Sequence, residues 1–177
     1  MRFLEHRRHG PRDGGRDALS PAGWALARRI GPSLGPFDRV VASPKIRAVE
    51  TATALAGRVD AERHELAGLP GEVEARVAEA DVRSFDGYVD LARSSTAVGE
   101  FARSQADLWK EELARLPEDG HLLLVSHAGV IELGAAGAIP RMALGWGRPL
   151  APLEGVRLGL ERGRWVTAAV LRVSPPE

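Results

Sequence analysis

Short strand-like segments alternate with helix-like segments along most of the sequence, and this alternation constrains the fold more than any other feature. The run at residues 121–125 is the strongest strand signal, because a strand covered on both faces needs successive apolar side chains. Further strands are predicted at residues 2–6, 38–42, 62–66, 155–160 and 165–173. The last two read as a hairpin. This order predicts an α/β fold, a three-layer α/β/α sandwich with a mainly parallel central sheet. A length of 177 residues fits a single domain over residues 1–177.

Two of the predicted helices open with a Ser-Pro pair, Ser20-Pro21 and Ser43-Pro44. Serine is a good N-cap and proline is favoured at the first helical position. The predicted buried face of the second helix consists of Ile46, Val49, Thr53 and Ala56. Residues 72–93 are expected to hold one or two short helices, and residues 96–116 to form a long amphipathic helix.

The composition excludes several classes of protein. The chain has no cysteine, which rules out thiol catalysis, disulfide scaffolding and thiolate metal sites. Acidic and basic residues number 24 each, so no charge imbalance indicates a nucleic-acid or anionic-membrane partner. No apolar run approaches the roughly 20 residues that span a bilayer. No secretory signal is visible, so the expected location is the cytoplasm. The dominance of arginine over lysine, with much alanine and glycine, suggests a GC-rich bacterial genome.

Three polar clusters follow predicted strands directly: Arg8-His9, residues 43–47 and Ser126-His127. In a parallel sheet the carboxyl ends of the strands meet at one edge, where ligands bind. Arg47 falls in the first turn of a predicted helix, where free backbone N–H groups already favour an anion. The sequence therefore predicts that these clusters converge on one anion-binding site.

This set of side chains suits a dianionic phosphoryl group, because arginine makes fork-like contacts and neutral histidine is a competent nucleophile. We expect one ring nitrogen of His9 to attack phosphorus in line, giving a phosphohistidine that water hydrolyses. Arg8, Arg47 and His127 would stabilise charge on the equatorial oxygens. The other ring nitrogen of His9 should donate to a nearby carbonyl, which fixes the tautomer. No cofactor or metal is required, and the sequence has no acidic cluster at metal-ligand spacing.

Four segments resemble the histidine phosphatase superfamily, also called phosphoglycerate-mutase-like, in order and spacing: Arg8-His9-Gly10 and residues 19–23, 43–52 and 125–131. The match spans residues 1 to about 135, and the terminal hairpin is similar as well. The resemblance implies that His9 is the phosphorylated residue and that Arg8, Arg47 and His127 form the phosphate pocket. It also implies a small phosphatase, since the chain is short like those of that branch.

The first motif departs from the family pattern on both sides. An apolar residue commonly precedes Arg-His-Gly, whereas Glu5-His6-Arg7 stands before Arg8 here. We expect Arg7 to face outward and His6 to have at most a supporting role. The Asn or Thr often found after the motif is missing, and Arg12 occupies that loop as a candidate for binding the phosphate or the leaving group.

The proton donor for the leaving group is less clearly marked. In mutases and broad phosphatases of the superfamily it is a glutamate soon after the third strand, in a Glu-x-x-x-Gly context, and this chain has no clean copy. Glu65, Glu72 and Glu74 are candidates, of which Glu72 is favoured because it follows the turn at Gly71. The alternative is that all three are solvated. The enzyme would then suit good leaving groups, as in the small phosphohistidine phosphatases of the superfamily.

The leading hypothesis is a metal-independent phosphatase that acts on a phosphorylated small molecule or on a phosphoprotein such as a phosphohistidine protein. One alternative is phosphoryl transfer of the phosphoglycerate-mutase type, although the segment available to cap the pocket is short for it. Another is a phosphate-binding sensor without turnover. The sequence leaves the substrate, the oligomeric state and the pathway open.

Overall fold

The computed structural model describes residues 1–173, which form six strands and six α-helices. Residues 174–177, the end of the predicted domain, lie outside the described part. The strands are β1 (Arg2–Arg8), β2 (Arg39–Ala42), β3 (Ala61–Glu62), β4 (His121–Ser126), β5 (Gly155–Glu161) and β6 (Arg164–Leu171). The helices are α1 (Pro21–Ile30), α2 (Ile46–Ala56), α3 (Gly71–Glu79), α4 (Phe85–Ser94), α5 (Thr96–Ala114) and α6 (Val130–Ala138).

The strands build one sheet in the order β3-β2-β4-β1-β5-β6. The pairs β1–β4, β2–β4 and β2–β3 are parallel, whereas β5 runs antiparallel to β1 and pairs with β6 as a hairpin. The predicted mainly parallel α/β sheet is therefore confirmed. Its consequence for function is that β1, β2 and β4 all end at the same edge.

Helices cover both faces of the sheet. On one face, alternate strand residues such as Leu122 and Leu124 pack with Trp109 of α5 and Ile131 of α6. On the other face, Leu123 and its neighbours pack with residues of α1 and α2. Side chains of successive strand residues point to opposite faces, so strands buried on both sides need the continuous apolar run that β4 has.

Helix α1 begins as predicted, with Ser20 Oγ accepting the N–H of Gly23 at 3.0 Å. The prediction for α2 was wrong in two respects. The helix begins at Ile46, beyond the Ser-Pro pair, and Ile46 is 55% exposed. Its buried residues are Ala48, Thr51, Ala52 and Leu55. Of the predicted face, Ile46 and Thr53 are exposed, whereas Val49 and Ala56 are partly buried and pack against the core at the border of the buried face.

Two further predictions need correction. The strand expected at residues 62–66 is limited to β3, and a 3₁₀ turn (His64–Leu66) follows it. Arg7 was expected to face outward but is 6% exposed, and its guanidinium donates to Glu5 Oε1 at 2.5 Å and to the Leu153 carbonyl at 2.7 Å. Because both faces of the sheet are covered, the face opposite Arg8 is also interior.

None of the helices within residues 1–173 has the length and apolar character needed to cross a membrane.

Candidate active site

His9 directly follows β1 and is 7% exposed. Its backbone N–H donates to the Ser126 carbonyl at 2.9 Å, which ties the end of β1 to the end of β4. Its ring Nδ1 lies 2.8 Å from the Gly10 carbonyl. Since a carbonyl oxygen can only accept, Nδ1 carries the proton and Nε2 keeps its lone pair. This tautomer, with the proton on Nδ1, is the one predicted from the sequence, since it leaves Nε2 free to act as a nucleophile.

The surroundings of His9 keep its ring uncharged at neutral pH. Burial lowers the pKa of His9 to about 4 from the ordinary 6.5, against the hydrogen bond to Gly10, which raises it. The positive charges of Arg47, Arg8 and Arg12 lower the pKa further. A lone pair on Nε2 is thus available throughout the physiological pH range.

His127 follows β4, and its ring centroid lies 5.3 Å from that of His9. Arg47 Nη2 is 3.1 Å from Nδ1 of His127, and Ser43 Oγ is 2.8 Å from Nε2. A guanidinium can only donate, so Nδ1 accepts and Nε2–H donates to Ser43. Burial, followed by the charge of Arg47, lowers the pKa of His127 to about 3. The free protein therefore holds a second neutral histidine beside the first.

Arg8 and Arg47 are each held by a terminal guanidinium nitrogen on an acceptor of the protein. Arg8 Nη1 donates to the Leu150 carbonyl at 2.5 Å, and Arg47 Nη1 pairs with the Asp17 carboxylate. In both side chains Nε is buried and has no hydrogen-bond partner within the described residues. A buried donor without a partner is costly, so two of them, one on each of the arginines beside the two histidines, indicate an anion site.

Two residues at this site were not identified from the sequence. Asp17 accepts from Arg47 and from the N–H of Ile46, at 3.3 Å, at the start of α2. Thr51 Oγ1 accepts the N–H of Gly10 at 2.9 Å and donates to the Arg47 carbonyl at 2.6 Å. Thr51 thereby joins the loop after His9 to the first turn of α2. The sequence did offer one indication of Thr51: it lies four residues after Arg47, a spacing that places both residues on the same face of a helix.

Arg12 lies on the exposed loop after Gly10, where its backbone forms an isolated bridge with Leu19. Its positive charge is among those that lower the pKa of His9 and of Arg8. The structure thus places Arg12 within electrostatic range of the candidate phosphate site.

The candidate acids are not brought together with these residues. Glu72 and Glu74 are exposed on α3, and Glu72 lines a groove formed with α4 and the start of α5. No hydrogen bond or ion pair within the described residues joins Glu72 to His9 or to either arginine of the site. Glu65 pairs with Arg63 at 2.9 Å, and this hydrogen bond lowers the pKa of the Glu65 carboxyl. A general acid needs the opposite shift.

His6 is completely buried, and its Nε2 lies 2.7 Å from Ser126 Oγ, next to His127 in the chain. Burial lowers the pKa of His6 to about 3. Its ring packs edge-on against Trp109, with the centroids 5.4 Å apart. His6 thus holds the last residue of β4 by a buried hydrogen bond to its side chain. Among residues 1–173, no three His, Asp or Glu side chains are grouped so that they could hold a metal ion.

The three buried histidines make the fold sensitive to acid. The pKa values of His6, His9 and His127 are about 3, 4 and 3 in the folded chain against 6.5 ordinarily. Below pH 6.5 the unfolded chain binds protons that the folded chain does not, so stability that is present above pH 6.5 is lost as pH falls toward the folded-state values. One pH unit below 6.5, each histidine costs about 1.4 kcal/mol.

We therefore expect denaturant titrations to show a free energy of unfolding lower by up to about 4 kcal/mol at pH 5.5 than at pH 7.5. A His6→Leu variant should lose about a third of this pH dependence. An unfolding free energy that does not change between the two pH values would contradict the burial of neutral rings.

A comparison with family models shows the family of this chain. The family model described as histidine phosphatase superfamily (branch 1) matches residues 5–171. Phosphoserine phosphatase from Entamoeba histolytica has a similar structure, with a TM-score of 0.73, 18% identity and 98% of each chain covered. Phosphoglycerate mutase from Bacillus anthracis str. Sterne has a TM-score of 0.67 at 16% identity, over 96% of this chain and 92% of that one.

A mycobacterial glucosyl-3-phosphoglycerate phosphatase is similar over 98% of this chain and 100% of its own, with a TM-score of 0.65 and 24% identity. At these identities the structural likenesses show the fold alone. No curated protein sequence matches the chain.

Proposed function

The chain belongs to the histidine phosphatase superfamily, and we propose that it hydrolyses a phosphomonoester or a phosphohistidine through a phosphohistidine intermediate on His9. Arg8, Arg47 and His127 bind the phosphoryl group, and Arg12 contacts the phosphate or the leaving group. The positive charge that the transferring phosphoryl group needs comes from the arginines, so the reaction proceeds without a metal ion.

The observation that carries this proposal is the pair of buried, unpartnered guanidinium Nε–H groups on Arg8 and Arg47. One belongs to the residue before His9, and the other to the arginine that hydrogen-bonds His127. Both atoms are almost inaccessible in the free protein, so the two side chains must shift on binding, and a phosphate oxygen would then accept a charge-assisted hydrogen bond from each. The lone pair on His9 Nε2 then supplies the nucleophile in the same site.

In the first step, His9 Nε2 forms a bond to phosphorus while the bond from phosphorus to the leaving group breaks, and the leaving group departs with the electron pair. In the second step, water attacks phosphorus and the bond from phosphorus to Nε2 breaks, with its electron pair returning to His9 as a lone pair. The proton that the water loses passes to solvent, and inorganic phosphate and neutral His9 remain. The bound dianion favours the protonated form of a nearby histidine, so substrate binding raises the pKa of His127 from its low value and makes its ring a better donor.

None of the three candidate proton donors for the leaving group, Glu65, Glu72 and Glu74, is brought to His9 in the free protein. Without a positioned acid, a leaving alkoxide departs slowly, whereas a phenolate or a histidine ring departs readily. This supports substrates with good leaving groups. The structural neighbours are named for small phosphorylated molecules, among them phosphoserine, which supports the size and charge of the substrate and not its leaving group, because serine leaves as an alkoxide.

We expect hydrolysis to depend steeply on the leaving group. Aryl phosphates such as p-nitrophenyl phosphate should be hydrolysed with a kcat/KM on the order of 10² times that of glycerol phosphate, the typical contribution of a general acid. Release of inorganic phosphate measures both rates. The Glu72→Gln variant is expected to act on both substrates within about twofold of wild type, given that a solvated carboxylate contributes little.

Equal rates on aryl and alkyl phosphates in the wild type, with a loss on the alkyl substrate alone in Glu72→Gln, would instead establish Glu72 as the acid. Transfer of phosphate between positions of phosphoglycerate, with little free phosphate, would identify a mutase. Phosphate binding with no turnover of any substrate in the panel would identify a sensor.

We further propose that residues 1–177 form a single domain, that the protein acts in the cytoplasm and that it comes from a bacterium. Its partner is a phosphorylated small molecule or a phosphoprotein, and neither nucleic acid nor a membrane is expected. These proposals rest on length and composition.

A further inference from the structure

Glu132 is a completely buried carboxylate in the first turn of α6, and the mechanism above does not use it. Its Oε2 accepts the N–H of Gly129 at 2.7 Å, and its Oε1 accepts the N–H of Leu150 at 2.8 Å. Both carboxylate oxygens thus accept from backbone donors, one at the start of α6 itself and the other 18 residues further along the chain.

The contact with Leu150 leads directly to the phosphate site. The carbonyl of Leu150 is the acceptor that holds Arg8 Nη1 at 2.5 Å. Leu150 is 2% exposed, so solvent does not replace either hydrogen bond. Glu132 therefore accepts the backbone N–H of Leu150, and the backbone carbonyl of Leu150 in turn accepts from Arg8.

The contact with Gly129 leads to the second histidine. Gly129 stands two residues after His127 and has a φ of +82°, a conformation that favours glycine. A Cβ at this position would also come within 3.0 Å of Leu69. By accepting the Gly129 N–H, Glu132 holds the turn that carries the chain from His127 into α6.

A buried carboxylate in this position lowers the stability of the fold, because the charge loses its hydration. Burial raises the pKa of Glu132, while its hydrogen bonds to backbone donors and the charge of Arg8 act in the opposite direction. An apolar residue of similar size would avoid the desolvation cost. Positioning the residues that bind phosphate is a function that an apolar residue could not perform.

We infer that Glu132 is a positioning residue that sets the orientation of Arg8 through Leu150 and the course of the chain after His127 through Gly129. The inference rests on the proposed function, since it assumes that Arg8 binds the phosphoryl group.

The test is a double-mutant cycle read out as the affinity for inorganic phosphate, measured by isothermal titration calorimetry, which needs no turnover. Glu132→Gln keeps the shape of the side chain but sets an amide N–H₂ against a backbone N–H. It should weaken phosphate binding about tenfold, the scale of one misplaced buried hydrogen bond. In the Arg8→Ala background, where no guanidinium remains to be oriented, the same substitution should have a clearly smaller effect, because only the contact with Gly129 still acts on the site.

Glu112→Gln is the matched control. Glu112 is also fully buried, but it pairs with Arg39 and Arg63 rather than with residues of the phosphate site. Its substitution should lower thermal stability without changing the affinity for inorganic phosphate.

The outcomes separate the inference from the proposed function. If Arg8→Ala leaves phosphate affinity unchanged, the role of Arg8 in the proposed function is wrong. If Arg8→Ala weakens binding and Glu132→Gln alone has no effect, the positioning role of Glu132 is wrong. If Glu132→Gln has its full effect in both backgrounds, the orientation of Arg8 through Leu150 is wrong. Should Glu132→Gln fail to fold by circular dichroism, the wild type labelled with ¹⁵N provides the test. Titration with inorganic phosphate should then shift the Leu150 amide with the same midpoint as Arg8 Nε–H, and an unmoved Leu150 amide would overturn the inference.

Discussion

Replacing His9 with alanine is expected to abolish hydrolysis of every phosphorylated substrate, with a fall in kcat on the order of 10⁴ or more. The reason is that the alanine variant lacks the Nε2 lone pair that bonds to phosphorus, and water at the same place has neither its nucleophilicity nor its position. Steady-state release of inorganic phosphate from p-nitrophenyl phosphate measures the effect.

His121→Ala is the matched control for this loss, because His121 begins β4 at the end of the strand opposite the site, where its ring packs at a tilt against Phe3. It should keep wild-type kcat. The affinity of His9→Ala for inorganic phosphate should remain within about tenfold of wild type, since the arginines are intact. Activity in His9→Ala close to that of wild type would contradict the proposed attack of His9 on phosphorus.

Replacing Arg47 with lysine is expected to lower kcat/KM by a factor on the order of 10²–10³ although the charge is kept. Arg47 donates to Asp17 and to His127 Nδ1 at 3.1 Å, and its Nε–H remains for phosphate. A lysine ammonium is a single point of charge on a flexible stem and cannot reach these three acceptors in the same geometry. The loss should appear in kcat as well as in KM, because charge spreads over the equatorial oxygens in the transition state.

Arg29→Lys provides the control, since Arg29 is exposed on α1 and belongs to none of the contacts of the site. Its kinetic constants should equal those of wild type within about twofold. An Arg47→Lys enzyme that is as fast as wild type would show that charge alone, rather than the guanidinium fork, supports the reaction.

The parts of the fold that local chemistry determines could be predicted from the sequence. The apolar run of β4 and the Ser20-Pro21 start of α1 are examples, and the parallel sheet follows from the order of such elements. The buried face of α2 could not be predicted, because Ile46, Val49, Thr53 and Ala56 also recur at helical spacing. Which of the competing faces meets the sheet depends on how closely the helix packs, and that is a tertiary property.

The site shows the same division. Strand ends meeting at one sheet edge predicted that Arg8-His9, Arg47 and His127 lie together, and the structure brings them together. Asp17, Thr51 and Glu132 were missed, since each acts by a contact with a distant backbone or side-chain group. Nothing in the sequence near Glu132 shows that its carboxylate meets Leu150.

The general acid is a residue that the sequence proposed and the structure does not place at the site. Proximity in sequence to the turn at Gly71 favoured Glu72, but a residue in the first turn of an amphipathic helix can face solvent, as Glu72 does on α3. Glu65 was also a candidate from the sequence, but Arg63 pairs with its carboxylate.

The central claim is that phosphorus bonds to His9, and trapping the enzyme during turnover tests it most directly. Wild type mixed with p-nitrophenyl phosphate and quenched rapidly in alkali, in which phosphohistidine survives, should carry one phosphoryl group on the peptide that contains His9. His9→Ala treated in the same way should carry none. A phosphoryl group on any other residue of the wild type, or one that persists in His9→Ala, would contradict the account.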